Sequence, residues 1–193
     1  MRILQPVFCL IITMSVAAFA EEDDTHITVL TLADQQDLQN KVAMINDVAR
    51  SKLGTEVHGD QSDIETLQRI ANGRFIDPQD TKRLQATGVV LGNLLKKDFD
   101  LEWMVYEDTD GRSRALCVPK TEQCLFPITM ISRRLEVNAP VDVQAIYNNA
   151  ATIIKPYADK AKVYQPSQLV RPEYIPKEEP PRPKKEPIKV RFK

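Results

Sequence analysis

Residues 101–124, LEWMVYEDTDGRSRALCVPKTEQC, decide the fold, because they alternate, turn, alternate again and end between two cysteines. Leu101, Trp103 and Val105 fall on one side of a two-residue period, and the residues between them fall on the other side, which is typical of a β-strand. The Asp-Gly pair at 110–111 supplies turn chemistry, since Gly111 can take a positive φ. Return strands at 115–118 and 124–126 complete a predicted three-stranded antiparallel meander.

Two cysteines, Cys117 and Cys124, flank the second turn of this meander. In an exported chain an even pair of cysteines predicts a disulfide, and closing so short a loop stabilises by roughly 2–3 kcal/mol in the chain-entropy model. A metal site is the alternative, but the histidines, His26 and His58, are not in ligand spacing with either cysteine. We therefore predict a disulfide and no metal site or cofactor.

The first twenty residues, MRILQPVFCLIITMSVAAFA, predict a secretory signal peptide. Arg2 precedes an apolar stretch that is too short for a membrane span, and Ala18 and Ala20 form an A-x-A pattern for cleavage after Ala20. An uncleaved N-terminal anchor is the alternative. Cleavage predicts a periplasmic or secreted protein of a Gram-negative-type envelope, with no transmembrane segment once the signal is removed.

Residues 21–164 are predicted to form a single α+β domain in which N-terminal helices pack on the small meander and a C-terminal helix follows. Helical spacing of apolar residues predicts helices within 32–54, 62–73 and 77–99. Asp34 and Asp77 are the predicted N-terminal caps of the first and third helices, and Ser62 with Glu65 reads as a capping box for the second.

Two further features of the predicted domain concern helix packing and helix starts. Gly88 and Gly92 interrupt the third helix on one face, which predicts close packing on the sheet.

Residues 127–136 fit either a helix or a strand, and we favour a helix because Pro127 is suited to a helix start. A last helix is predicted from about Val141, with Pro156 expected to kink or end it.

Residues 165–193 predict a disordered tail rich in Pro, Lys and Glu. They hold seven of the thirteen prolines and few apolar residues, so they cannot bury enough surface to offset their ordering entropy. Eight Lys/Arg against four Glu give the tail a net charge of +4, which leaves residues 21–164 with −6. The tail is thus a candidate for contact with acidic surfaces, and the acidic body argues against nucleic-acid binding.

The segments 88–116 and 125–147 together resemble a bacterial family known as domain of unknown function 3806. The similarity covers roughly residues 75–150, and the order of its elements is the most specific part. The resemblance implies a compact α+β domain with no established activity and no catalytic residues to carry over. The cysteine pair and the tail depart from the family's pattern, so the resemblance assigns no partner of relatives to this chain. The matching positions are Leu91-Gly92, Leu101-Glu102-Trp103, Asp108–Gly111, Phe126-Pro127, Ser132-Arg133-Arg134 and Val141-Asp142-Val143.

Motifs for catalysis are absent from the sequence, and no catalytic residue is predicted. No serine elbow, glycine-rich phosphate cradle, zinc spacing or dinucleotide fingerprint occurs. Glu102 and Glu107 could form a carboxylate pair, and Arg133 with Arg134 an anion site, although solvated or paired surface charges are the more ordinary interpretation. These four residues are the candidates for surface contact.

The sequence does not say what the protein does, and three hypotheses follow from it. The leading one is a non-enzymatic interaction module, exported to the periplasm, whose partner is another envelope protein. A second is an immunity-type protein that binds a toxin through its acidic face. The third is an envelope hydrolase that uses Glu102 or Glu107, which requires two carboxylates converging in a cleft. The sequence leaves the oligomeric state open.

Overall fold

The computed structural model describes residues 25–163, in which five helices pack against a four-stranded antiparallel sheet. The predicted signal peptide, its cleavage point and the predicted tail lie outside the described residues. In chain order the elements are β1 (His26–Val29), α1 (Leu32–Leu53), α2 (Ser62–Asn72), α3 (Thr81–Phe99), β2 (Glu102–Asp108), β3 (Gly111–Cys117), β4 (Cys124–Leu125), α4 (Pro127–Glu136) and α5 (Val143–Val163).

The sheet has the order β1-β2-β3-β4, so the predicted α+β class is confirmed and the count of three strands is wrong by one. The additional strand, β1, pairs with β2 in a register that sets Val29 opposite Met104. Its residues 27–29 are all β-branched, a composition that suits a pleated surface. The return strand β3 also begins earlier than predicted, because it pairs with β2 along its whole length from Gly111.

The core lies between the helices and one face of the sheet. Trp103 stands opposite Leu116, and Leu116 stands opposite Leu125, so the three side chains share the helix-facing side of the sheet. They join the apolar faces of the helices in one buried cluster. On the other face, Tyr106 and Phe126 meet edge to face, with ring centroids 5.1 Å apart.

The glycines of α3 allow close packing, but the partner of Gly88 is a helix and not the sheet as predicted. A Cβ built at Gly88 would lie 2.3 Å from the carbonyl oxygen of Pro127, at the start of α4. A Cβ at Gly92 would lie 2.4 Å from the ring of Trp103. The small residues therefore let α3 contact both α4 and the sheet core.

Helix starts differ from the sequence predictions in their exact residues. Thr31 caps α1, and Asp34 completes a capping box three residues later. Gln61 precedes α2 without a side-chain cap bond. Asp80 caps α3, because residues 77–80 form a turn before the helix begins.

The ambiguous segment after the meander is a helix, as predicted, and Pro127 occupies its first turn. The last helix continues through Pro156 to Val163, so this proline does not end it. Within residues 25–163 no helix is both long enough and apolar enough to cross a membrane.

Candidate functional site

A buried carboxylate connects the start of α1 to the sheet. Asp34 is 3% exposed and lies 2.7 Å from Arg112 Nη2 and 3.2 Å from Arg114 Nε, both on β3. The backbone N–H and the hydroxyl of Thr31 also donate to it. Arg114 extends the cluster by a 3.2 Å ion pair with Asp37.

The contacts of this cluster explain why the carboxyl group of Asp34 has a lowered pKa. The hydrogen bond from Arg112, followed by that from Thr31, holds the pKa of Asp34 far below its usual range, although burial opposes the shift. Asp34 raises the pKa of Arg112 in return. A carboxylate with so low a pKa and so many donors is a poor proton acceptor at neutral pH, so its role is to hold α1 against β3.

Asp63 is a second buried carboxylate with a structural role. It lies at the start of α2 and accepts hydrogen bonds from the backbone N–H groups of His58 and Gly59, at 2.8 and 2.7 Å. The ring of His58 is 3.9 Å from the same carboxylate, on an exposed loop. The arrangement anchors the loop between α1 and α2.

A third polar cluster connects α2, α3 and α5. The hydroxyl of Tyr147 donates to Asp98 at 2.5 Å, and the amide of Gln61 donates to both side chains. Burial, and then the hydrogen bond to Asp98, raises the pKa of Tyr147. The bonds join residues up to 86 positions apart in the chain, so they fix the helices relative to each other.

The four predicted surface-contact residues are exposed and do not form one site. Glu102 and Glu107 lie five positions apart on β2 and therefore on opposite faces of the sheet, with Glu107 opposite Arg112. Arg133 and Arg134 lie in the last turn of α4, and Arg134 donates to the carbonyl of Met130. The predicted carboxylate pair thus does not converge, and the roles proposed for these residues stay predictions.

The predicted disulfide is present, and it joins β3 to β4. Cys117 and Cys124 are opposite each other in the strand register, with Cα atoms 4.0 Å apart. Cys117 is buried. The bond closes the loop of residues 118–123, so that this short edge of the sheet is held covalently.

An apolar groove, which we call the α5 groove, lies between this loop and the end of α5. Its volume is about 420 Å³, within the 300–1,000 Å³ range typical of ligand pockets. Three lysines, Lys120, Lys160 and Lys162, stand with Asp100 among its lining residues. The remaining lining residues are Phe99, Val118, Pro119, Thr121, Tyr157, Ala158 and Ala161.

A wider depression, which we call the β1 groove, borders the other end of the sheet. It measures about 680 Å³ and separates β1 and β2 from α1 and α3. Val29 on its rim is 76% exposed, and Leu32 just beyond it is 82% exposed. Trp103 lines the groove, yet it is 8% exposed and donates its indole N–H to Asn93, so it belongs mainly to the core.

The part of the chain that the structure describes brings no three His, Cys, Asp or Glu side chains together in a metal-binding group. It also contains no buried side-chain nitrogen or oxygen without a hydrogen-bond partner. The buried polar groups of residues 25–163 are thus accounted for by contacts within the fold.

Sequence reasoning did not identify the Asp34 cluster or either groove. The arginines of the cluster are 78 and 80 positions from Asp34, and each groove is assembled from several elements. The β-branched run at 27–29 was the available local signal for β1. No local sequence pattern predicts a contact between residues that are so far apart in the chain.

Residues 63–147 match the family model described as "Domain of unknown function (DUF3806)", which is the family that the sequence resembles. No curated protein matches the chain. The fold is similar to the crystal structure of a protein from Bacteroides thetaiotaomicron VPI-5482, with a TM-score of 0.59 and 15% identity over 65% of this chain. The matched region is 47% of that protein, so this chain spans about half of it, and the likeness concerns the fold alone.

Proposed function

We propose that the protein is an exported, non-catalytic binding domain that engages another protein of the cell envelope at the β1 edge of its sheet. The partner contributes an extended segment, which pairs with the outer side of β1 and places apolar side chains in the β1 groove. Recognition of this kind combines backbone hydrogen bonds with pockets for alternate side chains.

The observation that carries the proposal is the exposed outer edge of β1 at residues 27–29. Within residues 25–163 this strand pairs with β2 alone, so the outer side of residues 27–29 has no strand partner in that part of the chain. Edge strands are usually protected by lysine, proline, a bulge or a covering element. The sequence of β1, HITV, has neither lysine nor proline, and Val29 and Leu32 are the two most exposed large apolar residues among those described.

Export is supported by two features of the chain. The leader has the composition of a signal peptide, and the Cys117–Cys124 disulfide is compatible with an oxidising compartment. Mass analysis of the protein from the envelope fraction is expected to give a chain that begins at Glu21 and lacks two hydrogens relative to the reduced form. A retained leader, or two free thiols after anaerobic purification, would contradict export.

The hydrolase alternative receives no support, because Glu102 and Glu107 occupy opposite faces of the sheet. The immunity-type alternative requires a toxin as the partner and stays a prediction. Identifying the protein that contacts β1 in living cells distinguishes these alternatives from the proposal, because the proposal requires another envelope protein at this strand.

The proposed function is tested by photocrosslinking in cells. A photoreactive amino acid is placed at Val29, at Leu32 or, as a control, at Asn149, an exposed residue of α5. We expect the first two positions to give one common adduct that the third does not give. Introducing Val29→Lys into the Leu32 probe protein should abolish the adduct, because a lysine at the edge disfavours strand addition.

Two results would contradict the proposal. One is an equal adduct from all three probe positions, which indicates non-specific proximity. The other is an adduct at Leu32 that persists in the Val29→Lys protein. The probe at Leu32 is also compared in chains with and without residues 165–193, since a loss confined to the shortened chain would assign the contact to the tail and not to β1.

A further inference from the structure

We propose that the α5 groove binds a single-chain fatty acid, with the acyl chain against the apolar walls and the carboxylate at the lysines. This site lies at the disulfide-bonded end of the sheet, so it does not rest on the function proposed for the β1 edge. It assigns to the domain a small-molecule ligand in addition to a protein partner.

The walls of the groove suit an acyl chain. Val118 and Ala158 are buried beneath it, and Phe99, Tyr157 and Ala161 form partly exposed apolar sides. Tyr157 retains 41% of its surface exposed, which is a large fraction for an aromatic side chain. Covering this surface with a hydrocarbon chain removes apolar area from water, which is favourable.

The loop wall of the groove suits an acyl chain better than a peptide because the polar groups of Thr121 and the N–H of Val118 already have partners. The hydroxyl and the backbone N–H of Thr121 both donate to the carbonyl of Val118, at 3.0 and 3.2 Å. The N–H of Val118 donates to Gln123. A peptide against this wall would bury amides that these groups cannot satisfy, which is costly, whereas an acyl chain carries no such groups.

The charges of the groove select an anionic head group. The lining holds three lysines and one aspartate, Asp100, which gives a net charge of +2. None of the lysines has an ion pair within residues 25–163, so their ammonium groups remain available to a ligand. A carboxylate provides the acceptor oxygens for charge-assisted hydrogen bonds.

Lys120 is the residue that distinguishes a binding role from a purely structural one. Lys160 and Lys162 lie in the last turn of α5, where positive charge stabilises the helix end in any case. Lys120 is not at a helix end; it is the third residue of the turn that the Thr121 N–H to Val118 bond closes, and its φ of 61° is the positive value that a type II turn requires there. The turn accounts for its backbone but not for its charge, so a change at Lys120 tests the ligand and not a helix end.

The disulfide supports the site by fixing one wall. Residues 118–121 belong to the loop that Cys117 and Cys124 close, so the loop is held in place before any ligand arrives. A wall ordered in advance reduces the entropy lost on binding.

Calorimetric titration of the mature chain, residues 21–193, with laurate below its critical micelle concentration tests the proposal. We expect one laurate per chain. Dodecanol, which has the same chain without the charge, should bind at least tenfold more weakly, and acetate, which has the charge without the chain, should give no detectable heat. Equal affinity for laurate and dodecanol would overturn the assignment of the lysines.

Variants at Lys120 separate binding from folding. Lys120→Gly and Lys120→Asn both tolerate a positive φ and both remove the charge, so the fold is expected to persist while laurate affinity falls about tenfold. Lys155→Ala removes one charge from the same helix as Lys160 but outside the groove, and should bind as the unaltered chain does. Ala161→Phe fills the groove and should abolish binding.

Three outcomes overturn the proposal. The first is laurate binding that is unchanged in the Lys120 and Ala161 variants, which would mean adventitious adsorption. The second is an equal loss of affinity in Lys155→Ala, which would mean a general charge effect. The third is binding that appears only after residues 165–193 are removed, which would make the tail the occupant of the groove.

Discussion

The two outer edges of the sheet are held by different chemistry. The β4 edge is two residues long, is joined to β3 by the Cys117–Cys124 disulfide, and leads directly into α4. The β1 edge is four residues long and has no covalent bond; it leads into α1, whose first turn is held to β3 by Asp34. The β4 edge is thus short and closed by a disulfide, whereas the β1 edge is exposed and the helix that follows it is held by an ion pair.

This difference indicates where the fold is rigid and where it can accept a partner. A short, covalently closed edge has few unpaired backbone groups to offer another strand, and what it presents instead is the α5 groove. The β1 edge offers the backbone groups of residues 27–29, with exposed apolar side chains beside them. The two edges should therefore respond to different perturbations. The β4 edge should be sensitive to substitutions that disturb packing and to reduction of the disulfide, and the β1 edge to acid.

The largest effect is expected from Gly88→Ala, at the contact that supports the β4 edge. The new methyl group would meet the backbone of Pro127 and Ile128 at 2.3–2.6 Å, and backbone cannot move aside easily. We expect the free energy of unfolding to fall by about 3 kcal/mol, despite the higher helix propensity of alanine. Urea denaturation followed by circular dichroism measures the change.

Gly73→Ala is the matched control for this substitution. The three atoms nearest to its methyl group would belong to the ring of Phe75, a half-buried side chain that can shift more easily than backbone. A loss below about 1 kcal/mol is expected there, within the range of most point mutations. If the two substitutions cost the same, close backbone packing between α3 and α4 is not what limits this side of the molecule.

Removal of the disulfide is the next largest perturbation. Replacing both Cys117 and Cys124 by alanine is expected to lower the free energy of unfolding by about 2–3 kcal/mol, because the unfolded chain regains the freedom that the closed loop denies it. Denaturation with and without dithiothreitol provides the measurement. The reductant should destabilise the unaltered protein by a similar amount and leave the double variant unchanged; sensitivity of that variant to dithiothreitol would contradict the explanation.

Asp34→Asn tests the ionic attachment of the β1 edge. The amide cannot satisfy both Arg112 and Arg114, so we expect a loss of about 2 kcal/mol at neutral pH. Asp47→Asn, on the exposed face of the same helix, should change stability by less than about 0.5 kcal/mol. Thermal unfolding of both variants measures the difference.

The effect of Asp34→Asn should depend on pH in a defined direction. The pKa of Asp34 is lowered in the folded state by Arg112 and Thr31, whereas in the unfolded chain it is about 3.9. The carboxylate therefore contributes its full stability above the unfolded pKa, and the contribution is lost as the pH falls below about 4. A difference between the two proteins that stays constant down to pH 2 would exclude this account.

The contrast between the edges also explains how far the sequence predicts this structure. The hairpin, the disulfide and the start of α4 follow from local chemistry: period-two alternation, an Asp-Gly turn, closely spaced cysteines and a proline suited to a first helical turn. These features lie mostly on the β4 side. Four residues before α1 give a weak strand signal, and β1 exists because β2 is available to pair with it.

The candidate site was harder to predict than the fold. The α5 groove joins Phe99, Lys120 and Tyr157, which come from three separate parts of the chain. Its position near a helix start predicts Asp34 as a cap, and Asp34 does belong to the capping box of α1. Its pairing with two arginines, however, depends on the tertiary fold. Local patterns specify elements, whereas both proposed sites lie between elements.

The smallest effect is expected at Lys120, and its sign is opposite to the others. Its φ of 61° costs a lysine more than a glycine, so Lys120→Gly should raise the free energy of unfolding by about 1 kcal/mol or less, since glycine also gains freedom in the unfolded chain. The same urea titration measures this change. A loss of stability would mean that the lysine side chain supports the loop, and would contradict a role confined to binding. A gain in stability together with weaker laurate binding is the expected result, because a lysine at this turn position then serves the ligand and not the stability of the covalently closed edge.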